Sequence, residues 1–339
     1  NPGNFGISVT PQNNHDDNVF FDWRAGVEYD LAKDNLVYFT VTTGHKAGGY
    51  NDTLNVGMGQ PLYNSTYDPE SILAFELGSK NVFNDRRIRL NASAFWYKYT
   101  DMVFQILREV VPDPNPNDNV DVSSSTAVRD NAASANVMGI DIDFTYALPA
   151  GLEAEVHALL MDARFGDDVQ VQDGRIGFDV SNYVVDIGGN WLPRASPYTL
   201  NYTLSQLIPT MAGSFSWVVS GQTRGKHYMT PYNGEGKLIP PENPEEAIAV
   251  DENGQPTSQA YRDLTRENGS IRLTDVVPAY TRFDIGVGWR HPEGRLSIDA
   301  FVNNIFDIAY ATTIISTPGL NLRFFNPPRT AGVRVRVDW

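Results

Sequence analysis

Three observations predict that this chain has an all-β fold and forms an antiparallel transmembrane β-barrel. The chain ends on a run in which valine alternates with charged residues and the last residue is aromatic, Val333 to Trp339. Similar alternation recurs along the chain, which is typical of strands of about ten residues with apolar side chains towards lipid and polar ones towards the lumen. Short connections also alternate strictly with long ones, as in outer-membrane barrels with short periplasmic turns and long extracellular loops.

Composition supports this fold class and excludes some functions. Phe, Tyr and Trp make up 12% of the 339 residues, which suits a protein with aromatic belts at two membrane surfaces. No stretch reaches the roughly 20 continuous apolar residues of a spanning helix, so a membrane protein of this sequence must cross as a closed barrel. The net charge of -15 argues against a nucleic-acid partner, and the absence of cysteine excludes disulfides and thiolate metal sites.

Eleven segments are predicted to be strands, because each alternates apolar with polar residues between turn signals. Asp, Asn, Gly and Pro supply the short turns near Asp34, Asp85, Ala150, Pro209 and Pro292. The predicted strands are Val19 to Asp30, Leu36 to Thr43, Ser71 to Asn81, Ile88 to about Phe104, Met138 to Leu148, Leu152 to Met161, Tyr198 to Gln206, Ser214 to about Gly221, Thr281 to Arg290, Arg295 to Val302 and Arg329 to Trp339.

The long connections give the predicted barrel its orientation. If they are extracellular, the first and last predicted strands both descend, which places Asn1 to Asn18 outside the cell and Trp339 at the periplasmic rim. Closed bacterial barrels have an even number of strands. Residues 1–339 are therefore predicted to be one incomplete domain, the carboxy-terminal portion of a longer barrel. The predicted extracellular loops are Gly44 to Glu70, Gln105 to Val137, Asp162 to Pro197, Gln222 to Tyr280 and Asn303 to Pro328.

Several segments resemble motifs of the TonB-dependent outer-membrane receptors. Their order and spacing extend over nearly the whole chain, which makes the resemblance specific. The similar runs are Leu36 to Asn51 (Y-x-S-x-x-x-G-F-K-A-G-G-F-N in the family), Tyr67 to Lys80 (F-x-P-E…Y-E-L-G-x-K), Leu90 to Asp101 (L-N-x-A-x-F-Y-x-x-Y-x-D), Phe301 to Tyr310 (V-x-N-L-F-D-x-x-Y) and Pro328 to Thr330 (P-R-x-x-G).

The resemblance implies a receptor in the cell outer membrane with about 22 strands, of which eleven are seen here. It also implies a plug domain and a TonB box outside this chain, through which the TonB-ExbB-ExbD system would drive uptake. The expected ligand is a scarce, bulky nutrient, above all a ferric siderophore, with haem, cobalamin and oligosaccharides as alternatives. Terminal aromatics in such barrels resemble the signal read by the outer-membrane assembly machinery, and Trp339 stands at that position in place of the commoner Phe.

The longest predicted loop, Gln222 to Tyr280, is the first candidate for ligand binding, because binding groups often lie on loops held by a rigid scaffold. Its start gathers cations and aromatics, which suit an anionic, ring-bearing ligand such as a ferric chelate. The alternative is that these aromatics form the loop's own small core or part of an aromatic belt. The candidate residues are Arg224, Lys226, His227, Tyr228 and Tyr232 in this loop, and His45, Lys46 and Tyr50 in an earlier one.

The remaining motifs give no support to an enzyme, a cofactor or a metal centre. Asp141 and Asp143 share one side of a strand, yet the sequence supplies no partner acid or nucleophile, and we expect them to be luminal charges paired with Lys or Arg. Arg334 and Arg336 are expected to line the lumen in ion pairs, beside a strand carrying Ser297 and Asp299. No two of the five histidines have zinc-site spacing. The Asp/Asn-rich run 113–119 has oxygens suited to calcium, but the same residues are ordinary loop formers.

Two other functional classes stay open at this level. A passive porin would have an open lumen and no plug domain. A soluble all-β carbohydrate-binding or hydrolytic protein would bury its outward Val, Ile and Trp side chains against a second sheet.

Overall fold

The computed structural model describes residues 18–51, 66–111, 124–167, 169–172, 184–233, 237–239, 275–317 and 320–338. Apart from one 3₁₀ turn at Pro149–Gly151, the regular structure of these residues is β-strand. The strands are β1 (Arg24–Ala32), β2 (Asn35–Lys46), β3 (Gly49–Tyr50), β4 (Thr66–Tyr67), β5 (Glu70–Phe83), β6 (Ile88–Val111), β7 (Ser124–Ala147), β8 (Leu152–Phe165), β9 (Gln170–Gln172), β10 (Val184–Asp186), β11 (Tyr198–Thr210), β12 (Gly213–Arg224), β13 (His227–Tyr228), β14 (Lys237–Ile239), β15 (Val276–Val277), β16 (Tyr280–Arg290), β17 (Leu296–Asn303), β18 (Ala311–Thr317), β19 (Leu320–Phe325) and β20 (Thr330–Val337).

Eleven of these strands form one sheet in the order β1-β2-β5-β6-β7-β8-β11-β12-β16-β17-β20. These are the eleven strands that alternation predicts, so the predicted all-β antiparallel sheet is confirmed. Every neighbouring pair is antiparallel. As a result β1 and β20 run in the same direction, and each pairs with one strand among the described residues. In the same ranges, no helix has the length and apolar character to cross a bilayer.

Short turns join the strands at one end of the sheet, which we call the turn end; the opposite end is the loop end. Asp34, Asp85 and Ala150 adopt positive φ angles of 65°, 53° and 61° in three of these turns, a conformation that Asp tolerates better than most residues. The turn after β11 falls beyond Thr210 rather than near Pro209 as predicted. Pro209 stays in the strand because β8 pairs with β11 only as far as Gln206, so the missing N–H of proline breaks no ladder bond.

The two faces of the sheet differ in chemistry along its whole width. On β16, Ile285 and Val287 lie on one face while Arg282 and Asp284 lie on the other, and the register carries this division through every strand. We call the first the lipid face and the second the luminal face. Among the described residues no second sheet packs on the lipid face, where Val287, for example, is 52% exposed. This differs from the soluble sandwich, in which such side chains would be buried, and fits a lipid-facing surface. Other lipid-face residues include Val27, Phe39, Leu77, Trp96, Ile140, Val156, Leu204, Ile298 and Val335.

Aromatic side chains on the luminal face lie over glycines of the neighbouring strand and help to fix the register. Tyr38 lies opposite Gly78, where a Cβ atom would come within 2.3 Å of the tyrosine ring. Phe301 lies opposite Gly332 in the same way, with a Cβ approach of 2.7 Å. Only a residue without Cβ leaves room for the ring, and a slip by one residue would bring a side chain beneath it.

The loop end is more structured than predicted. Strands β6 and β7 have 24 residues each, so residues 105–111 and 124–137, predicted as loop, are strand instead. At about 3.3 Å per residue such a strand extends roughly 80 Å, far beyond the roughly 30 Å of a hydrocarbon core. Alternation predicts only the part that lies between lipid and lumen. Beyond that part, the backbone N–H and C=O groups of β6 and β7 hydrogen-bond to each other. This pairing does not require apolar and polar residues to alternate.

Small sheets form within the other predicted loops. Strands β18 and β19 make a hairpin, β9, β10 and β14 make a three-stranded sheet, and β13 pairs with β15. The last pairing joins the beginning of the longest predicted loop to its end. The structure does not describe residues 1–17, the run 113–119 or Trp339. The predicted extracellular amino end, the run with oxygens suited to calcium and the predicted assembly signal therefore lie outside the described residues.

Candidate functional site

Two arginines lie on the luminal face at the loop end, on neighbouring strands. Arg224 is the last residue of β12 and lies opposite Tyr280, two residues before Arg282 on β16. Arg282 donates from Nη2 to the Asp284 carboxylate over 3.1 Å, and Arg224 donates from Nη2 to the Arg194 carbonyl over 2.5 Å. The Nε atoms of both arginines are buried and have no hydrogen-bond partner among the described residues. A buried donor without an acceptor costs about 1–3 kcal/mol, and these two Nε atoms are out of reach of another molecule in this conformation. Both arginines are otherwise half-buried, so the accessible ends of their guanidinium groups are the donors available to an acceptor from another molecule.

An aromatic stack lies beside the arginine pair. The rings of Tyr280 and Tyr310 are parallel within 6°, with centroids 3.8 Å apart. Both tyrosines pack on a small buried cluster that includes Val277 and Ile314. The stack therefore joins the start of β16 to the β18–β19 hairpin and holds Tyr280 in a fixed position next to Arg224.

Two of the five residues predicted in the longest loop are buried in the packing of the loop end. His227 is 1% exposed, and its Nδ1 lies 3.0 Å from the Gly225 carbonyl oxygen. Tyr232 is 9% exposed and belongs to a cluster with Phe165 and Ile187, which we call the loop-end cluster; Val169 and Val171 complete it. In this conformation neither side chain presents a surface to a ligand.

The other residues predicted in that loop stay accessible. Lys226 is exposed and Tyr228 is half-buried, and the Lys226 ammonium lies 5.1 Å from the centroid of the Tyr228 ring, within cation–π range. Together with Arg224 they form a cationic and aromatic group that continues from the luminal arginine pair to the surface of the loop end.

The second predicted group divides between the two faces of the sheet. His45 lies on the lipid-face side of β2, with Nδ1 2.7 Å from the Asp22 carboxylate and its ring stacked on Phe20 at 4.8 Å. Lys46 lies on the luminal side, 3.9 Å from the Glu70 carboxylate. Tyr50 belongs to β3 and pairs with β4. These three residues do not converge on one ligand position.

Sequence reasoning missed Arg282, Tyr280 and Tyr310 as candidate ligand-binding residues. Residues 281–290 are predicted only as a strand. A single sequence does not show which strands pair, so it does not show that the luminal residues of this strand lie beside the end of β12. The expected luminal positions of Arg334 and Arg336 agree with the register, which sets Arg334 opposite Asp299. The ion pair that forms there is Arg336 with Asp338, at 3.1 Å.

The burial of His227 predicts that docking of the loop depends on pH. Burial, reinforced by the Arg224 charge, lowers the pKa of His227 from its ordinary 6.5. The undocked state therefore binds a proton at a higher pH than the docked state, and the docked state loses stability as pH falls below 6.5. The protection factors of residues 225–233, which correct the hydrogen-exchange rates for the base-catalysed intrinsic rate, are expected to be lower at about pH 5 than at about pH 8, and His227→Gln should reduce that difference. His291→Gln, in a turn at the other end of the sheet, is the control, and an unchanged pH profile in His227→Gln would contradict the assignment.

A sheet with a lipid face, a polar luminal face, short turns at one end and long connections at the other defines the class of outer-membrane β-barrels. The chain matches the model of the TonB dependent receptor-like, beta-barrel family over residues 1–305. It belongs to this family of receptors, and the predicted outer-membrane location is confirmed by that membership.

Known relatives agree with this assignment. The pesticin receptor of Yersinia pestis is 21% identical over 325 residues, which are 96% of this chain and 37% of that protein. Among solved structures, the ferric yersiniabactin uptake receptor FyuA from Yersinia pestis is 18% identical with a TM-score of 0.63, over 93% of this chain and 37% of the receptor. The ferric-catecholate import receptor Fiu from E. coli is 16% identical with a TM-score of 0.57, over 93% of this chain and 34% of the receptor. This chain thus spans little more than a third of their length.

Proposed function

We propose that the protein containing this chain is an outer-membrane receptor for TonB-dependent uptake of a ferric siderophore. The observation that carries the proposal is the luminal pair Arg224 and Arg282, two half-buried cations on neighbouring strands at the loop end. Ferric chelates offer anionic oxygens, and hydrogen bonds from guanidinium to such oxygens are strong and directional. The names of the relatives, which include a ferric yersiniabactin uptake receptor, support the same class of ligand.

In this proposal the ligand enters from the loop end, which corresponds to the outside of the cell. Lys226 and Tyr228 meet it first at the surface, since both remain accessible beside the arginine pair. The ring of Tyr280, held by its stack on Tyr310, then offers a flat apolar surface next to Arg224. Cationic donors beside aromatic faces suit a chelate that carries both charge and rings.

We further propose that residues 1–339 are the carboxy-terminal portion of a larger barrel. The edge strands β1 and β20 each pair with one strand among the described residues, and a bilayer does not tolerate open edges. The rest of the protein would supply the closing strands, the plug and the segment that engages TonB-ExbB-ExbD. The relatives, of which this chain spans 37% or less, support that division.

Removal of either luminal arginine is expected to weaken siderophore binding. Loss of a charged hydrogen bond costs about 1.5–3 kcal/mol, so Arg224→Ala and Arg282→Ala should each raise the Kd by about 10-fold to 100-fold. The measurement is titration of the full-length protein in detergent with ferric yersiniabactin and with a ferric catecholate. Arg290→Ala is the matched control, because Arg290 lies on the luminal face of the same strand at the turn end.

Two results would contradict the proposal. If both variants bind every chelate as tightly as the unaltered protein, the arginine pair is not the ligand site. If cells lacking TonB take up the chelate at the same rate as cells that have it, the protein acts as a passive porin.

A further inference from the structure

Three side chains on the luminal face of β7 and β8 are arranged like the ligands of a metal ion. His157 Nε2 lies 3.2 Å from Asp141 Oδ2 and 4.0 Å from Asp143 Oδ1, and one ligand atom from each residue falls within 4.8 Å of the other two. We call these three residues the luminal triad.

The triad results from alternation and strand register together. Asp141 and Asp143 are two residues apart on β7, so both side chains point to the same face. The register sets His157 of β8 directly opposite Asp143, and both strands belong to the rigid interior of the eleven-stranded sheet. The backbone therefore holds the three groups together without any other contact.

Among the residues that the structure describes, no Lys or Arg forms an ion pair with the triad. We expected Lys or Arg to pair with Asp141 and Asp143, and this expectation was wrong: in the part of the chain that the structure describes, their ion-pair partner is His157. Arg89, which lies on the same face of β6, donates to the Thr145 hydroxyl over 3.2 Å instead. Two carboxylates and an imidazole nitrogen thus lie together, a donor set that favours a bound cation.

There is room for an ion and its water beside the triad. A cavity of about 380 Å³ lies against the sheet here and is lined by Asp143 and His157; the side chains of the triad are 35% to 56% exposed. Its lining is mostly polar and includes Arg89, Asn91, Asp143, Glu155, His157 and Asn201. Water can therefore complete the coordination of an ion held by the three side chains.

We propose that Asp141, Asp143 and His157 bind a divalent transition-metal ion, with Zn²⁺ as the reference ion. Ligand atoms about 2.0–2.2 Å from zinc lie roughly 3–3.5 Å from one another. The 3.2 Å separation of His157 from Asp141 already has this value, and a small rotation of Asp143, the most exposed of the three, shortens its 4.0 Å separation. An imidazole nitrogen favours Zn²⁺, Ni²⁺ or Cu²⁺ over Mg²⁺ and Ca²⁺, which prefer oxygen ligands alone.

The test is zinc titration of the full-length protein, purified in detergent and stripped of metal with a chelator. Competition against a chromophoric zinc indicator is expected to show one tight site. His157→Asn and Asp141→Asn should each weaken it by about 100-fold or more, since even outer-shell changes cost about 10-fold to 100-fold. With Cu²⁺ in place of Zn²⁺, electron paramagnetic resonance should show one imidazole nitrogen, and this signal should disappear in His157→Asn.

Two matched variants make the result specific. Asp299→Asn removes a luminal carboxylate from β17, and His291→Asn removes a histidine from a turn; both lie outside the triad and should bind zinc as the unaltered protein does. A folded protein without a stoichiometric zinc site would overturn the proposal, as would equal zinc affinity in the triad variants and the unaltered protein. Neither outcome depends on siderophore uptake, so the metal site and the proposed receptor function fail or stand separately.

Discussion

Val287→Arg is expected to destabilise the folded barrel by up to about 2–4 kcal/mol, which is the cost of a cationic side chain on the lipid face of a barrel at the bilayer midplane. Val287 lies on the lipid face of β16, between Trp217 of β12 and Ala300 of β17. It is 52% exposed, because lipid rather than protein is its neighbour. An arginine at this position has no luminal water within reach and must displace lipid or move towards the membrane surface.

The matched control for this substitution is Ser216→Arg. Ser216 lies at about the same depth, opposite Gly288, but its side chain is on the luminal face. Asp299 of β17 pairs with Gly288 from the other side, so its carboxylate is available to an arginine at position 216. Urea titration of the full-length protein in lipid vesicles should show a much larger loss for Val287→Arg than for Ser216→Arg. Equal losses would mean that the assignment of the two faces is wrong.

Phe165→Ala is expected to cost about 3–5 kcal/mol, the usual loss for a buried aromatic side chain, and to act on the loop end alone. Phe165 is 3% exposed, lies in the loop-end cluster with Ile187 and Tyr232, and its ring centroid is 5.9 Å from that of Phe104. Because this cluster lies outside the alternating part of the sheet, its loss should leave the barrel folded.

Limited proteolysis of the folded protein tests this expectation. In Phe165→Ala, cleavage within residues 184–192 should become faster, while the heat-resistant migration of the barrel in gels stays unchanged. Phe215→Ala is the control, because that phenylalanine is 46% exposed on the lipid face and does not contact the cluster. Unchanged cleavage in Phe165→Ala would show that the cluster does not stabilise the loop end.

Alternation predicts the fold well because it is imposed by the surroundings of each strand. Between lipid and lumen every second side chain must be apolar, so segments such as Thr281 to Arg290 stand out in the sequence, and the count of eleven strands follows. The alternation of apolar and polar residues ends where the strands leave the lipid. Residues 105–111 and 124–137 continue β6 and β7 without it, since a hairpin in water satisfies its backbone groups whichever way its side chains point.

The candidate site could be predicted only in part, because its members meet through strand register. Arg224 and Lys226 attract notice as cations beside aromatics, whereas Arg282 and His157 gain their significance from neighbours on other strands. Burial is equally invisible in a short motif. His227 looks like a ligand-binding histidine in the sequence, but its pairing with Val277 places it inside the loop packing.

If these residues belong to a larger barrel, as proposed above, the common direction of β1 and β20 restricts the number of strands that can complete the cylinder. Ten successive antiparallel pairings separate these two edge strands, so the β1 of a second identical subunit would meet β20 in parallel. Two copies of this chain with the same orientation in the membrane thus cannot make a wholly antiparallel wall. Only a complement with an odd number of strands gives antiparallel seams at both edges.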